Sequence, residues 1–256
     1  MNLTLARAEA LLLGAVALLA LLALLAGLGP HLAQAPHIHD YADQRAWLGL
    51  PCALDVLSNL PFALFGLWGL RVLGRVPAAA LPGTQRALAA LFFTGLILTA
   101  FASGWYHWRA DDAGLFIDRL GMSFAFAGLL GLAVASRITA RAGAWTAPAV
   151  LLWGVLGAWV CWRSGSLLPW AVLQGAGLAL LLVLSALPAR ATAVRWWLII
   201  VIYAVAKVCE LADHVIFEAT GQIISGHSLK HLVAAFAAWP VIRALQQVGQ
   251  NAREQR

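Results

Sequence analysis

The sequence predicts an all-α fold: a polytopic membrane bundle with a seven-helix core and, at the N-terminus, one further helix or a signal peptide. Three observations carry this. The 256 residues are 62% hydrophobic and only 11% charged, against about 45–50% apolar and about 25% charged in soluble domains. Mean hydropathy is +0.83. The apolar residues also gather into runs near the ~20 residues that a helix needs to cross hydrocarbon. This composition excludes a soluble globular enzyme, a disordered chain and an ordinary nucleic-acid binder. No nucleic-acid partner is expected: the formal net charge of +6 is the basic excess that membrane proteins hold in cytoplasmic loops.

Eight runs fit the template. The first, 7–28, follows Arg7 and is longer than the about 7–15 apolar residues of a signal peptide. That favours a retained helix, although Ala33-Gln34-Ala35 looks like a signal-peptidase site. Residues 1–29 are therefore an extra helix or a signal, and 30–49 an extracytoplasmic loop whose His31, His37 and His39 read as solvated or structural. The other runs are 51–73, 85–106, 115–136, 144–162, 167–187, 196–217 and 228–245. Short loops join them into one core, 50–246, followed by a cytoplasmic tail, 247–256. Pro30, Pro77, Pro82 and Pro188 fall in breaks. Pro61, Pro148, Pro169 and Pro240 fall inside spans, where neighbouring helices tolerate kinks. Cys52, Cys161 and Cys209 have neither disulfide-framework nor zinc-finger spacing and read as small hydrophobes.

Basic residues set the orientation. Arg7, Arg71, Arg75, Arg86, Arg137, Arg141, Arg190, Arg195, Arg243, Arg253 and Arg256 fall on one side of the alternating spans, and only Arg45, Arg109 and Arg163 on the other. By the positive-inside rule the C-terminus is cytoplasmic. The abundance of Ala, Leu and Arg suggests a GC-rich bacterial genome, hence a bacterial inner membrane. On this topology the polar residues that a bilayer should exclude fall at one depth, in the outer leaflet. They are Asp55, Ser58 and Asn59; Ser103 and His107; Asp118; Lys207, Glu210, Asp213 and His214; and His227, Lys230 and His231. Intramembrane ionisable groups are costly and mark function by default, so their agreement in depth points to one shared site.

The spacing suggests the chemistry. His227 and His231, four apart, share a helix face and can clasp one metal ion. His107 is the natural third ligand, leaving the fourth tetrahedral position for water as in catalytic zinc sites. Zinc brings the pKa of such a water near neutrality. Asp118 is placed to take and return the proton. Ser103, four before His107, faces the same way and can bond the water or a developing oxyanion. Plainer readings stand beside these. The histidine pair could be interfacial, Asp118 a charge favoured at a helix N-terminus, and Ser103 bonded back to its own helix. Lys207, Glu210 and His214 lie at i, i+3, i+7. They read as a packing ion pair, Lys207–Glu210, or as a network in which Asp213 or His214 orients a ligand imidazole. His214 is also the main competitor as a direct ligand.

Together these residues carry a resemblance. Asp55-x-x-Ser58-Asn59 on an early core helix, then Ser103-x-x-x-His107, then Asp118 eleven residues on, and His227-x-x-x-His231 opening the last helix resemble the alkaline ceramidase family. That family lies within a superfamily of seven-helix membrane hydrolases that also holds the adiponectin-receptor-like proteins. The resemblance covers roughly 37–245. It implies zinc held by His107, His227 and His231, with Asp118 handling the water proton and Ser103 assisting. It also implies hydrolysis of the ceramide amide to a sphingoid base and a fatty acid. Eukaryotic members bind calcium through an acid-rich segment before the first core helix. Here Asp40 and Asp43 are the candidate ligands, but Arg45 lies among them and Cys52 stands where those members carry a glutamate. Lys230 replaces an aromatic residue expected near the lipid chain. The expected function is thus a zinc-dependent lipid amidase acting on a ceramide-like membrane lipid. The alternatives are a non-catalytic zinc-containing lipid receptor or sensor on the same scaffold and, further off, a haem-binding membrane protein.

Overall fold

The computed structural model describes residues 9, 12, 31–36, 38–189 and 192–255. Apart from Glu9 and Leu12, the first predicted span lies outside them, as do Arg7, His37, Arg190 and Arg256. The described residues are 77% helical and include no strand. Among the described residues six helical segments, two of them jointed (Ala53–Arg75 and Gly226–Glu254), are long and apolar enough to cross a membrane, which makes the protein an all-α polytopic membrane bundle.

In chain order the helices are α1 (Ala53–Leu57), α2 (Leu60–Arg75), α3 (Gly83–Trp108), α4 (Asp112–Arg137), α5 (Ala140–Ser164), α6 (Leu168–Ser185), α7 (Trp196–Leu211), α8 (Asp213–Ala219), α9 (Gly226–Ala235) and α10 (Trp239–Glu254). Their starts are written locally. Asp111, Thr139 and Ser225 each accept a backbone N–H from the first turn of α4, α5 and α9, satisfying donors that no helix can satisfy itself.

Of the four prolines expected inside spans, three start helices instead. Pro61, Pro169 and Pro240 occupy the first turns of α2, α6 and α10, where the missing N–H costs nothing. Only Pro148 lies within a helix. The expected span 51–73 is therefore split at Ser58-Asn59. The last span is split by a 3-10 turn, Phe236–Ala238, ahead of Pro240, because the proline ring clashes with the carbonyl four residues back.

The span expected at 196–217 is also interrupted. α7 is 16 residues long and ends at Leu211; a turn at Ala212 leads into α8. The cause is a close backbone approach. A Cβ on Gly226 would stand 2.2 Å from the Cys209 carbonyl oxygen and 2.7 Å from Asp213 Cα. The bend turns Asp213 inward, where its carboxylate meets the start of α9.

α4 runs between α3 and α5 and is the most buried of the six spanning segments. Glycines set the α3–α4 distance: a Cβ on Gly128 would lie 2.2 Å from the Phe92 backbone nitrogen, so the helices touch backbone to backbone as small residues allow in membranes. Gly128→Ala is therefore expected to lower the melting temperature in detergent by several degrees, an overpacking cost of about 1–3 kcal/mol. Gly74→Ala, whose Cβ would meet nothing within 4 Å, is expected to leave it level or slightly higher. Equal behaviour of the two variants would contradict this packing account.

The segment before α1 straps across one end of the bundle. Leu167 N–H donates to Leu32 O at 2.7 Å and Gln34 N–H to Gly165 O at 2.9 Å, tying it to the α5–α6 loop. His39 joins it to α3 and α4, with Nδ1 2.9 Å from the Tyr106 hydroxyl and Nε2 3.1 Å from Asp112 Oδ1.

Candidate metal centre

The strapped end holds the site. His107 lies in the last turn of α3, and His227 and His231 stand one turn apart at the start of α9. All three are buried, and their ligand atoms all lie within 4.8 Å of one another. Nε2 of His107 and Nε2 of His227 are 3.2 Å apart. A tetrahedral zinc with bonds of about 2.0–2.1 Å sets its ligand nitrogens about 3.3–3.4 Å apart, so the donor set fits such an ion. The fit is chemical as well. Three neutral imidazoles turned toward one point cannot all satisfy one another, whereas one cation satisfies all three lone pairs. The same closeness leaves no room for a porphyrin between His107 and His227.

One ligand's tautomer is fixed by the sequence around it. The Ser58 hydroxyl donates to the Asp55 carbonyl at 3.0 Å and lies 2.8 Å from His231 Nδ1. Its only proton is spent on the carbonyl, so it accepts from Nδ1–H and leaves the Nε2 lone pair for a metal. The Asp55 side chain works on the same helix from the other side. Its Oδ1 accepts from Ser225 Oγ at 3.1 Å and Ser228 Oγ at 2.6 Å, which places an anion at the N-terminus of α9, where the helix dipole favours it. Asn59 Nδ2 donates to the Asp55 carbonyl at 2.8 Å. The Asp-x-x-Ser-Asn stretch thus aims the histidine helix. Ser58→Ala is expected to weaken metal affinity about 10–100-fold while leaving the fold intact, measured by competition with a calibrated chelator. Unchanged affinity would remove Ser58 from this role.

Asp213 orients His227 through the backbone: its Oδ1 accepts the His227 N–H at 2.7 Å and its Oδ2 the Ala42 N–H at 3.0 Å. The expected contact with an imidazole is absent because the bend before α8 points the carboxylate at the chain. His214 is exposed and lies outside the triad. Ser103 and Asp118 line the same cavity as the three histidines, a space of ≈ 790 Å³. Asp118 Oδ1 is buried and has no hydrogen-bond partner among the described residues. The arginine next to it in sequence turns away: Arg119 Nη1 lies 2.6 Å from Cys161 Sγ and 3.3 Å from Gln34 Oε1, with the guanidinium 5.6 Å from the Trp170 ring centre. Cys161 is therefore a polar contact and not merely an apolar filler.

The two acids considered for calcium each meet a neighbouring side chain. Asp43 is gripped by Arg45, with Oδ1 2.7 Å from Nε and Oδ2 2.7 Å from Nη2. Burial pushes the Asp43 carboxyl up, but the hydrogen bonds and charge of Arg45 outweigh it and hold the pKa below the ordinary range. Asp40 Oδ1 accepts from Gln44 Nε2 at 2.9 Å. Arginine thus occupies both carboxylate oxygens of Asp43.

Sequence reasoning missed two contacts. Tyr41, in the strap, covers the triad, its ring centre 4.7 Å from His107 and 4.4 Å from His227. Lys230 joins the Lys207–Glu210 pair and reaches His227. A loop tyrosine has no periodic signal, and the lysine stood out only as a substitution for an expected aromatic residue. A second, apolar cavity of ≈ 140 Å³ adjoins the first; Phe62, Thr99, Met122, Gln174, Tyr203 and Ala234 line both. Against known proteins, no family model matches this chain and no curated protein matches it.

Proposed function

We propose that this protein is a zinc-dependent intramembrane hydrolase that cleaves the amide bond of ceramide-like lipids, giving a sphingoid-type base and a fatty acid. One observation carries the reading: three buried imidazoles converge in the same cavity that Asp118 lines with an unpartnered carboxylate oxygen, and that cavity adjoins an apolar one. The sequence resemblance to alkaline ceramidases supports the same choice of chemistry.

The residues divide the work. A bound zinc ion would polarise the amide carbonyl and make a water nucleophilic at neutral pH. Asp118 takes the water's proton and returns it to the departing nitrogen. Ser103 donates its hydroxyl to the carbonyl oxygen as negative charge develops there. Tyr41 screens the triad from bulk water, and the apolar cavity holds part of the acyl chain. The arginine distribution supports a bacterial inner-membrane location with the site near the outer leaflet and a cytoplasmic C-terminus.

Elemental analysis and a lipid assay test this together. Protein purified in uncharged detergent without chelator is expected to carry about one zinc per chain, as a single three-histidine site requires. It should release fatty acid from an N-acyl sphingoid base, lose that release on chelation and regain it with zinc. Zinc without turnover of any lipid amide or ester would favour the non-catalytic lipid receptor. Absence of zinc would overturn both readings.

A further inference from the structure

Beside the triad lies a charge cluster that the reaction just outlined does not use. Lys230 Nζ is 2.9 Å from Glu210 Oε1, and Lys207 Nζ is 2.5 Å from Glu210 Oε2. Two ammonium groups thus share one carboxylate. All three side chains line the site cavity, and the lysines keep 38% and 21% of their side-chain surface open, Lys207 the more.

The other acids on that cavity wall are committed. Asp213 spends both oxygens on backbone N–H groups. Asp40 accepts from Gln44, and Asp118, reserved for the reacting centre, is the acid that also feels the charge of Lys230. On the same cavity, buried Arg119 has no ion-pair partner among the described residues; Cys161 and Gln34 meet it instead. A packing ion pair would need one lysine, not two. Within this cluster two ammonium groups face one carboxylate, so an anionic group brought in beside them is favoured at a depth where a bare charge is costly.

The position of Lys230 says where that anion sits. Its Nζ is 3.0 Å from His227 Nε2. An imidazole nitrogen that ligates a metal has no lone pair left for an ammonium, so metal loading releases one N–H of Lys230 toward the cavity. An anion held there lies about one hydrogen-bond length further on, hence only a few covalent bonds from the amide being cut.

Resting on the amidase reading above, we propose that the substrate carries an anionic group, carboxylate or phosphate, within a few bonds of the amide nitrogen, and that Lys207 and Lys230 bind it. N-acyl amino acids and phosphorylated N-acyl amino alcohols are the two sources of that chemistry. Hydrolysis breaks the acyl C–N bond. The water oxygen goes to the acyl carbon and a water proton to the nitrogen, so the products are a fatty acid and an amine that keeps its anionic group.

The test pairs binding with turnover, using the full chain, zinc-loaded, in uncharged detergent. Dodecylsulfonylglycine and neutral dodecylsulfonylethanolamine are uncleavable probes for titration calorimetry. N-dodecanoylglycine, N-dodecanoylethanolamine phosphate and neutral N-dodecanoylethanolamine are the substrates. The anionic probe is expected to bind, and at least one anionic substrate to react, at least ~10-fold better than its neutral counterpart, as a charge-assisted bond to a poorly solvated anion allows. Whichever anionic substrate leads identifies the group. Lys207→Gln and Lys230→Gln should each shrink the anionic-to-neutral ratio, and Lys207→Arg should largely restore it, which separates lost recognition from lost folding. Equal binding of the two probes, or a ratio that the lysine variants leave unmoved, would overturn the proposal even if neutral amides are hydrolysed. Lysine-dependent binding of the anionic probe with no turnover of any amide would sustain the anion site and sink the amidase reading instead.

Discussion

Asp118→Asn is expected to cut lipid-amide hydrolysis about 10²–10⁴-fold, the span that a positioned general acid–base contributes, while zinc stays at the wild-type level. The carboxylate is not one of the three converging ligands, so the substitution removes proton transfer and leaves the metal site. It is also nearly isosteric. Asp118 Oδ1 is buried without a hydrogen-bond partner among the described residues, so an amide there breaks no bond at that oxygen and removes the cost of holding a charge in a buried place. The variant should therefore melt at or above the wild-type temperature. A merely structural Asp118 predicts the reverse: a lower melting temperature with turnover per folded molecule preserved. Parallel measurement of zinc, melting and fatty-acid release in one preparation distinguishes the two.

That argument depends on residues whose placement is largely readable in the chain. The triad is legible because an i, i+4 pair on a helix and a third histidine at the same depth obey simple periodicity. Asp55-x-x-Ser58-Asn59 is legible as a group, but its role is not, since nothing in one sequence says that Asp55 reaches Ser225 and Ser228, 170 residues and more away. The prolines mislead for a physical reason. Pro61, Pro169 and Pro240 suit a first helical turn as well as a kink, and hydropathy windows run across the joints without a dip. The strap is opaque because Tyr41 covers the histidines through loop geometry, which leaves no repeat to detect. Lys230 can be seen as out of place in the chain, yet only the fold brings Glu210 and Lys207 to it.

Replacing both histidines of α9, His227→Ala with His231→Ala, is expected to remove the bound metal altogether. It takes two of three donors from the site, and a single remaining imidazole, His107, does not hold zinc against buffer. The consequence reaches beyond the metal. In the wild type, a ligand that binds only the folded protein adds stability that grows with its free concentration. Added zinc should therefore raise the wild-type melting temperature and leave the double variant unmoved. The variant should keep its helical content, because α9 is anchored independently: Ser225 caps it, and the Asp55 carboxylate and the Asp213–His227 backbone bond persist without either imidazole. Single variants separate the roles further. His231→Ala also leaves the Ser58 hydroxyl without its imidazole partner, whereas His227→Ala leaves Lys230 bonded to Glu210. The second should perturb folding less than the first while costing as much metal. Zinc retained at one per chain in the double variant would place the metal elsewhere and remove the basis for a hydrolase at this end of the bundle.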